Sequence, residues 1–106
     1  MAALRCYTQG VQAEIRKRQG ILRLLYARRI TEPLQPAMRA RDFAEMLGCP
    51  LEHLEFSLWF LRERKQIHRV ADNNQYEITC EGAEAFESDE SNYFAKAPLT
   101  LPAATA

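Results

Sequence analysis

The chain has 106 residues, 47% of them hydrophobic and 26% charged, and a formal net charge of zero. These values are typical of one globular domain and exclude disorder throughout the chain. No apolar run approaches the length of a membrane-spanning helix. Three cysteines, Cys6, Cys49 and Cys80, fit no zinc-ligand spacing, so we expect no metal. Because the first ten residues lack the apolar stretch of an export signal, we expect a cytoplasmic location.

The two halves of the chain differ in charge. Residues 1–49 contain nine basic and four acidic residues, a net charge of +5, and residues 50–106 contain five basic and ten acidic residues, a net charge of −5. The neutral total argues against indiscriminate binding to nucleic acid, but a basic half permits a phosphate-binding face. For any single arginine, the alternative to a contact with phosphate is a position on the solvated face of a helix.

The first predicted helix spans residues 11–29, after a weakly patterned lead-in at 1–10. Gly20 marks either a break or a place where another element packs closely. Prolines at 33 and 36 end the helix and leave residues 31–38 extended, with room for one short strand. The apolar residues of the helix recur at helical spacing. They are Val11, Ile15, Leu22, Leu25 and Tyr26.

Two shorter helices are predicted next, with a tight turn between them. The first covers residues 39–47, and Gly48 is placed as its C-terminal cap in the left-handed conformation. The second begins after Pro50 and ends near residue 66. A stripe of leucines follows one face of this third helix. The stripe consists of Leu51, Leu54, Leu58 and Leu61.

A hairpin and a short helix complete the predicted domain. Two short strands at 67–71 and 75–79 are joined by an Asp-Asn-Asn turn at 72–74, since these residue types tolerate the backbone angles of tight turns. Thr79 is predicted to cap the last short helix. Residues 89–106 are predicted to form an acidic and then Pro- and Ala-containing tail, and we expect its last ten residues to be mobile.

These elements resemble the winged helix-turn-helix family of bacterial and archaeal transcriptional regulators. The stretch FAEMLGCPLEHLEFSLWFLRERKQIHRV at 43–70 resembles the family's helix, Leu-Gly turn and second helix. The stretch YEITCEGAEAF at 76–86 resembles a wing strand running into an Ile-Thr-x-x-Gly helix start, and GILRLLY at 20–26 resembles the first helix. The resemblance implies a mainly helical domain at 11–88, with three core helices, a β-hairpin wing and a short C-terminal helix.

The resemblance also implies a dimeric DNA-binding module connected with transcription, whose third helix enters the major groove. Its partners would be double-stranded DNA and a second copy or another protein chain, with no cofactor, membrane or small-molecule ligand. Glutamates can accept a hydrogen bond from cytosine, although this is a minority mode of readout. The candidates for base contacts are Glu52, His53 and Glu55. The candidates for phosphate contacts are Arg39, Arg41, Arg62, Arg64, Lys65 and Arg69.

The outward face of the third helix departs from this expectation. On a helical wheel Phe56 points away from the leucine stripe, and Trp59 and Phe60 lie beside it, whereas specific base contacts come mainly from Arg, Lys, Asn and Gln. An exposed aromatic patch marks a protein contact. The alternative function is therefore a protein-interaction or dimerisation module that does not bind DNA. Equally, the N-terminal residues or the tail could cover the patch. The apolar tail residues are Tyr93, Phe94, Leu99 and Leu101.

No enzyme motif is present. The sequence lacks a glycine-rich phosphate loop, a nucleophile elbow and a His-Glu-x-x-His helix. His53 and His68 are the only histidines, and neither lies at a ligand spacing from a cysteine. We therefore expect no enzymatic activity, and we interpret the glutamates as solvent-facing helix charges.

Overall fold

The computed structural model describes residues 2–70 and 74–96, with side chains for 10–70 and 74–90. The described part is mainly helical and contains a small antiparallel sheet of three strands in the order β1-β3-β2, which confirms the predicted mixture of elements. The elements are α1 (Ala2–Thr31), β1 (Met38–Arg39), α2 (Ala40–Leu47), a 3₁₀ turn (Leu51–Leu54), α3 (Glu55–Glu63), β2 (Ile67–Arg69), β3 (Gln75–Ile78) and α4 (Cys80–Lys96).

Helix α1 is longer than the sequence predicted, since it begins at Ala2 rather than at residue 11. The weakly patterned lead-in is therefore helical as well, and the single glycine at position 10 costs only about 1 kcal/mol there, too little to end a helix. Gly20 does not break α1 either. A Cβ atom added to Gly20 would lie 2.7 Å from Cδ2 of Leu47, so this glycine allows α2 to pack closely.

The turn between α2 and α3 was predicted correctly. Asp42 accepts a hydrogen bond from the backbone N–H of Arg39 over 3.1 Å and so caps the start of α2. Gly48 adopts a φ of 70° and donates its N–H back to α2, as a left-handed C-terminal cap requires. The predicted third helix is shorter in the structure, because it begins as a 3₁₀ turn and ends at Glu63.

The sheet matches the predicted hairpin, with β2 and β3 slightly shorter than expected. Met38 of β1 and Arg69 of β2 both pair with Tyr76 of the central strand β3. On the outer face, His68 and Glu77 pair across the strands, with 3.0 Å between Nε2 and Oε1. The tip of the hairpin at 71–73, which includes most of the predicted turn, lies outside the described residues.

Strand β3 leads directly into α4 through Thr79. The N–H of Gly82 donates to Oγ1 of Thr79 over 3.0 Å, and the Thr79 hydroxyl donates to the carbonyl oxygen of Lys65 over 2.6 Å. The predicted N-terminal cap is therefore confirmed. The predicted shortness of this helix is wrong, because α4 has 17 residues and includes residues 89–96 of the predicted tail. The last ten residues lie outside the described part of the chain.

The hydrophobic core lies between α1, α2, α3 and the inner face of the sheet. Three of the four leucines in the predicted stripe are buried, whereas Leu51 is 42% exposed because the 3₁₀ turn departs from the α-helical period. Ser57 is fully buried among them, which the sequence did not predict. The buried hydrophobic residues are Ile21, Leu22, Leu25, Met38, Ala40, Phe43, Leu54, Leu58, Leu61, Ile67, Tyr76 and Ile78.

Candidate nucleic-acid and protein-binding surfaces

The buried face of helix α3 is flanked by two sides that carry different residues. Arg62 and Trp59 lie on the side towards β3, where they line a hollow with Tyr76. Phe56 and Phe60 lie on the side towards α1. The residues that the sequence singled out are therefore distributed over two neighbouring surfaces, which meet where the rings of Trp59 and Phe56 lie side by side.

A polar hollow of about 360 Å³ lies where the start of α2 meets β3. We call it the arginine hollow, and its lining consists of Arg39, Ala40, Arg41, Leu51, Asn74 and Gln75. The N–H of Ala40 donates to the carbonyl oxygen of Asn74 over 3.1 Å and holds the two elements together. Among the described residues no carboxylate lines the hollow, although Asp42 lies beside it, 3.5 Å from Nη2 of Arg39. The hollow can accept an anionic group such as a phosphate.

A second hollow of about 330 Å³ extends from the arginine hollow along α3. The two hollows share Asn74, and the second adds Arg62, Glu55 and Trp59. Three predicted phosphate candidates, at the end of β1 and on α2 and α3, are thus grouped around Asn74, just before β3. Glu55, a predicted base-contact candidate, lies among them and weakens the positive charge of the second hollow.

The other three phosphate candidates lie elsewhere. Arg64 lines a hollow with Arg18 of α1 and Asp89 of α4. Lys65 is exposed in the bend after α3, and Arg69 is exposed on β2. The sequence did not predict this separation, because the distance between residues on different elements depends on how the elements pack.

The remaining base-contact candidates, Glu52 and His53, are both exposed in the 3₁₀ turn. The carbonyl oxygen of His53 accepts a hydrogen bond from Nζ of Lys17 over 2.8 Å, which ties this turn to α1. Neither side chain lines the arginine hollow or its extension. Only Glu55 of the three candidates is therefore grouped with the arginines.

The aromatic patch on α3 consists of Phe56, Trp59 and Phe60, whose ring centroids lie 5.5 to 6.5 Å apart. Phe56 is 50% exposed and Trp59 is 47% exposed, as the helical wheel predicted. Phe60 is only partly exposed, and the guanidinium carbon of Arg18 lies 3.9 Å from its ring centroid. A cation over an aromatic face is a favourable contact, so α1 partly covers this edge of the patch.

Helix α1 continues the apolar surface. Val11 and Ile15 have the helical spacing that the sequence predicted, but they are 48% and 39% exposed and do not reach the core. Periodicity identified the apolar side of α1 but not the segment that reaches the core. We call the open depression of about 510 Å³ beside them the α1–α3 groove. It is lined by Gly10, Val11, Glu14, Ile15, Arg18 and Phe56.

The sequence left open whether the N-terminal residues or the C-terminal tail cover the aromatic patch. The structure describes these two segments to different extents. Residues of α1 shield Phe60 but leave Phe56 and Trp59 about half exposed. The side chains of Tyr93 and Phe94 lie outside the described side chains, and Leu99 and Leu101 lie outside the described residues. Within the part of the chain that is described, the patch is therefore open to a partner.

A partly buried polar contact between α1 and α3 was not predicted. The hydroxyl of Ser57 donates to Oε1 of Glu14 over 3.0 Å, and Nζ of Lys17 donates to Oε2 of Glu14 over 2.7 Å. The one available signal was the serine itself, which lies at i+3 from Leu54 on the apolar face of the helix. These bonds connect α3 to α1 next to Phe56.

No three His, Cys, Asp or Glu side chains in the described ranges lie close enough together to hold a metal ion. None of the described helices has the length and apolar character needed to cross a membrane. No protein-family model matches the chain, and no curated protein and no solved structure matches it.

Proposed function

We propose that the chain is a winged helix-turn-helix module and that its first candidate function is binding to duplex DNA, in a dimeric protein connected with transcription. The order α1, β1, α2, α3, β2, β3 supports this proposal, because α2 and α3 are joined by a tight turn and a hairpin follows α3 directly. In this arrangement α3 takes the place of the recognition helix and the β2–β3 hairpin that of the wing.

The grouping of Arg39, Arg41 and Arg62 around Asn74 is the observation that favours DNA. Arginine presents several donors in a planar fork that suits phosphate oxygens. Because Arg39 ends β1, and Arg41 and Arg62 lie on the two helices packed next to the sheet, the spacing of the three arginines is set by the fold. Such contacts position a protein on the duplex but do not read its sequence.

Sequence reading by α3 is expected to be weak. Glu55 and Trp59 are the exposed side chains next to Arg62, and neither is a common partner for a base edge. Carboxylates on this face are also repelled by the dense negative charge of the duplex. We therefore propose binding that depends mainly on phosphates, with little preference for sequence and a strong dependence on salt.

A salt-dependent titration with a mixed-sequence duplex tests this function. The Arg39→Ala/Arg41→Ala double variant is compared with Arg16→Ala/Arg29→Ala, which removes the same charge from exposed sites that do not line the hollow. We expect only the first double variant to bind weakly, with the slope of log K against log salt reduced by about two. Absence of binding at low salt, or equal losses in both variants, would exclude the arginine hollow as a DNA site.

The second candidate function is protein interaction through the aromatic patch, without DNA. The half-exposed rings of Phe56 and Trp59 favour it, because they lie beside Val11 and Ile15 in one apolar surface. Contiguous exposed apolar surfaces are uncommon on monomers and mark contact sites. Aromatic side chains are also enriched among the residues that dominate binding energy.

Photochemical crosslinking in cells tests the second function. A photoreactive phenylalanine analogue replaces Phe56 in one version of the protein and Leu34, which is 94% exposed, in a control version. We expect a crosslinked adduct from position 56 and none from position 34. If position 56 forms no adduct, the interaction function is wrong. The mass of the adduct also distinguishes a second copy from a different protein.

A further inference from the structure

The part of α1 between positions 10 and 20 contributes little to the buried core. Among the described side chains of this helix, Ile21, Leu22 and Leu25 are buried, and none between positions 10 and 20 is fully buried. Helices in proteins gain most of their stability from tertiary packing of an apolar face. A long helical segment with exposed apolar side chains therefore indicates a contact that the described residues do not provide.

The exposed apolar side chains lie together. Val11, Ile15 and Phe56 share the α1–α3 groove, and Trp59 lies next to Phe56 with 5.5 Å between the ring centroids. A Cβ atom added to Gly10 would meet none of the described atoms within 4 Å, so the described residues leave this end of the groove open. The groove and the aromatic patch thus form one continuous surface.

We infer that a second copy of this chain fills the α1–α3 groove, in a two-fold symmetric dimer in which α1 of each copy packs against the aromatic patch of the other. The inference rests on the second candidate function and does not depend on DNA binding. In such a dimer the same surface of both copies takes part, so each apolar helix segment finds an apolar partner.

The distribution of charge favours a second copy over an unrelated partner. Residues 10–20, the part of α1 that includes the groove lining, contain three basic residues and one acidic residue, a net charge of +2. Residues 51–63, which form the 3₁₀ turn and α3, contain three acidic residues and one basic residue, a net charge of −2. Two-fold pairing brings a basic helix against an acidic helix twice. A partner of one dominant charge would be attracted by one helix and repelled by the other.

The molar mass in solution, measured by sedimentation equilibrium over a range of concentrations, tests this inference. Four forms of the full chain are compared: the parent, Val11→Glu, Phe56→Glu and the control Leu34→Glu. All three substituted positions are exposed, so folding is retained, and circular dichroism verifies this. We expect the parent and the control to reach twice the chain mass of 12.2 kDa. We expect the two groove variants to dimerise at least about tenfold more weakly, because each introduces a charge into an apolar contact.

Each other outcome overturns the inference. A parent that stays monomeric has no second copy in the groove. A dimer that survives Val11→Glu or Phe56→Glu is held by another surface, and loss of the dimer in the Leu34→Glu control shows that the effect is not specific to the groove. The chain could be monomeric while the photoreactive phenylalanine analogue at position 56 crosslinks to a different protein. In that case the inference of a second copy in the groove fails, but the protein-interaction function stands.

Discussion

The hydroxyl of Ser57 on α3 donates to the carboxylate of Glu14 on α1 over 3.0 Å, at a position of α3 that is fully buried. Lys17 extends the contact, because its ammonium group donates to Glu14 over 2.7 Å and to the carbonyl oxygen of His53 over 2.8 Å. No buried side-chain polar atom in the described residues is left without a partner. The network therefore fixes α1 along α3 without a desolvation penalty from an unpaired group.

The Ser57→Ala variant tests this network. We expect the free energy of unfolding to fall by about 1 kcal/mol, because the variant removes one donor to a half-buried carboxylate. Ser88→Ala is the matched control, since Ser88 is exposed on α4 and its replacement should change stability by less than about 0.5 kcal/mol. Urea denaturation of both variants measures the difference. Equal stabilities would show that the Ser57 hydroxyl contributes nothing.

Gly82 is required where α4 crosses the end of the sheet. A Cβ atom there would collide with the backbone carbonyl of Gln66, which cannot move independently, and would lie 2.9 Å from Cγ1 of Ile78. We expect Gly82→Ala to lower the free energy of unfolding by about 1–3 kcal/mol, as overpacking does. Thermal unfolding followed by circular dichroism measures the loss.

Gly20→Ala is the comparison for this prediction. Its added Cβ would lie 2.7 Å from Cδ2 of Leu47, but this contact is with the end of a flexible side chain. The replacement also removes a glycine from the middle of α1, which is worth up to about 1 kcal/mol in a helix. We therefore expect Gly20→Ala to cost clearly less than Gly82→Ala. The opposite order would contradict the distinction between backbone and side-chain crowding.

The sequence predicted those parts of the fold that depend on neighbouring residues. The Gly48 cap, the Thr79 cap and the leucines at 54, 58 and 61 each follow from a local rule of backbone geometry or periodicity. The early start of α1 at Ala2 was missed because that segment has no clear apolar period. The length of α4 was missed for a similar reason, since acidic residues after Phe86 suggested a tail.

The candidate site was predictable only in part. Helical periodicity placed Phe56 and Trp59 on the outer face of α3, where the structure has them. It did not separate Arg64 from Arg39 and Arg41, because that distance is set by tertiary packing. For the same reason, the contact of α1 with the aromatic patch could not be derived from spacing.

Tyr26 joins α1 to α4. Its hydroxyl donates to Oε2 of Glu87 over 2.5 Å, and its ring centroid lies 4.7 Å from that of Phe86. The hydrogen bond to Glu87, followed by partial burial and the charge of Glu87, raises the pKa of Tyr26 above its ordinary value of 10.0. Because the neutral phenol is the bonded form, its stabilising contribution is complete below pH 10 and is lost as the pH rises through the raised pKa.

The pH dependence of unfolding tests this contact by comparing the parent with Tyr26→Phe. Between neutral pH and pH 10 we expect the parent to have the higher thermal midpoint by a constant difference. Above pH 10 that difference should shrink, since only the parent loses the bonded phenol at this position. A difference that stays constant far above pH 10, or that is absent throughout, would contradict the assigned role of the Tyr26–Glu87 hydrogen bond.

Lys65 has a left-handed backbone, with a φ of 60°, in the bend where α3 ends. Its N–H donates to the carbonyl oxygen of Arg62 over 2.9 Å and closes the helix. A residue with a Cβ atom is strained in this conformation and glycine is not, so Lys65→Gly should raise the free energy of unfolding by about 0.5–1 kcal/mol. Arg64→Gly is the control, because Arg64 has an ordinary φ of −86° and glycine there should lower stability. Urea denaturation distinguishes the two, and a Lys65→Gly protein less stable than its parent would contradict the prediction. Because Lys65 does not line the arginine hollow, the same variant should reduce affinity for duplex DNA much less than Arg39→Ala/Arg41→Ala does.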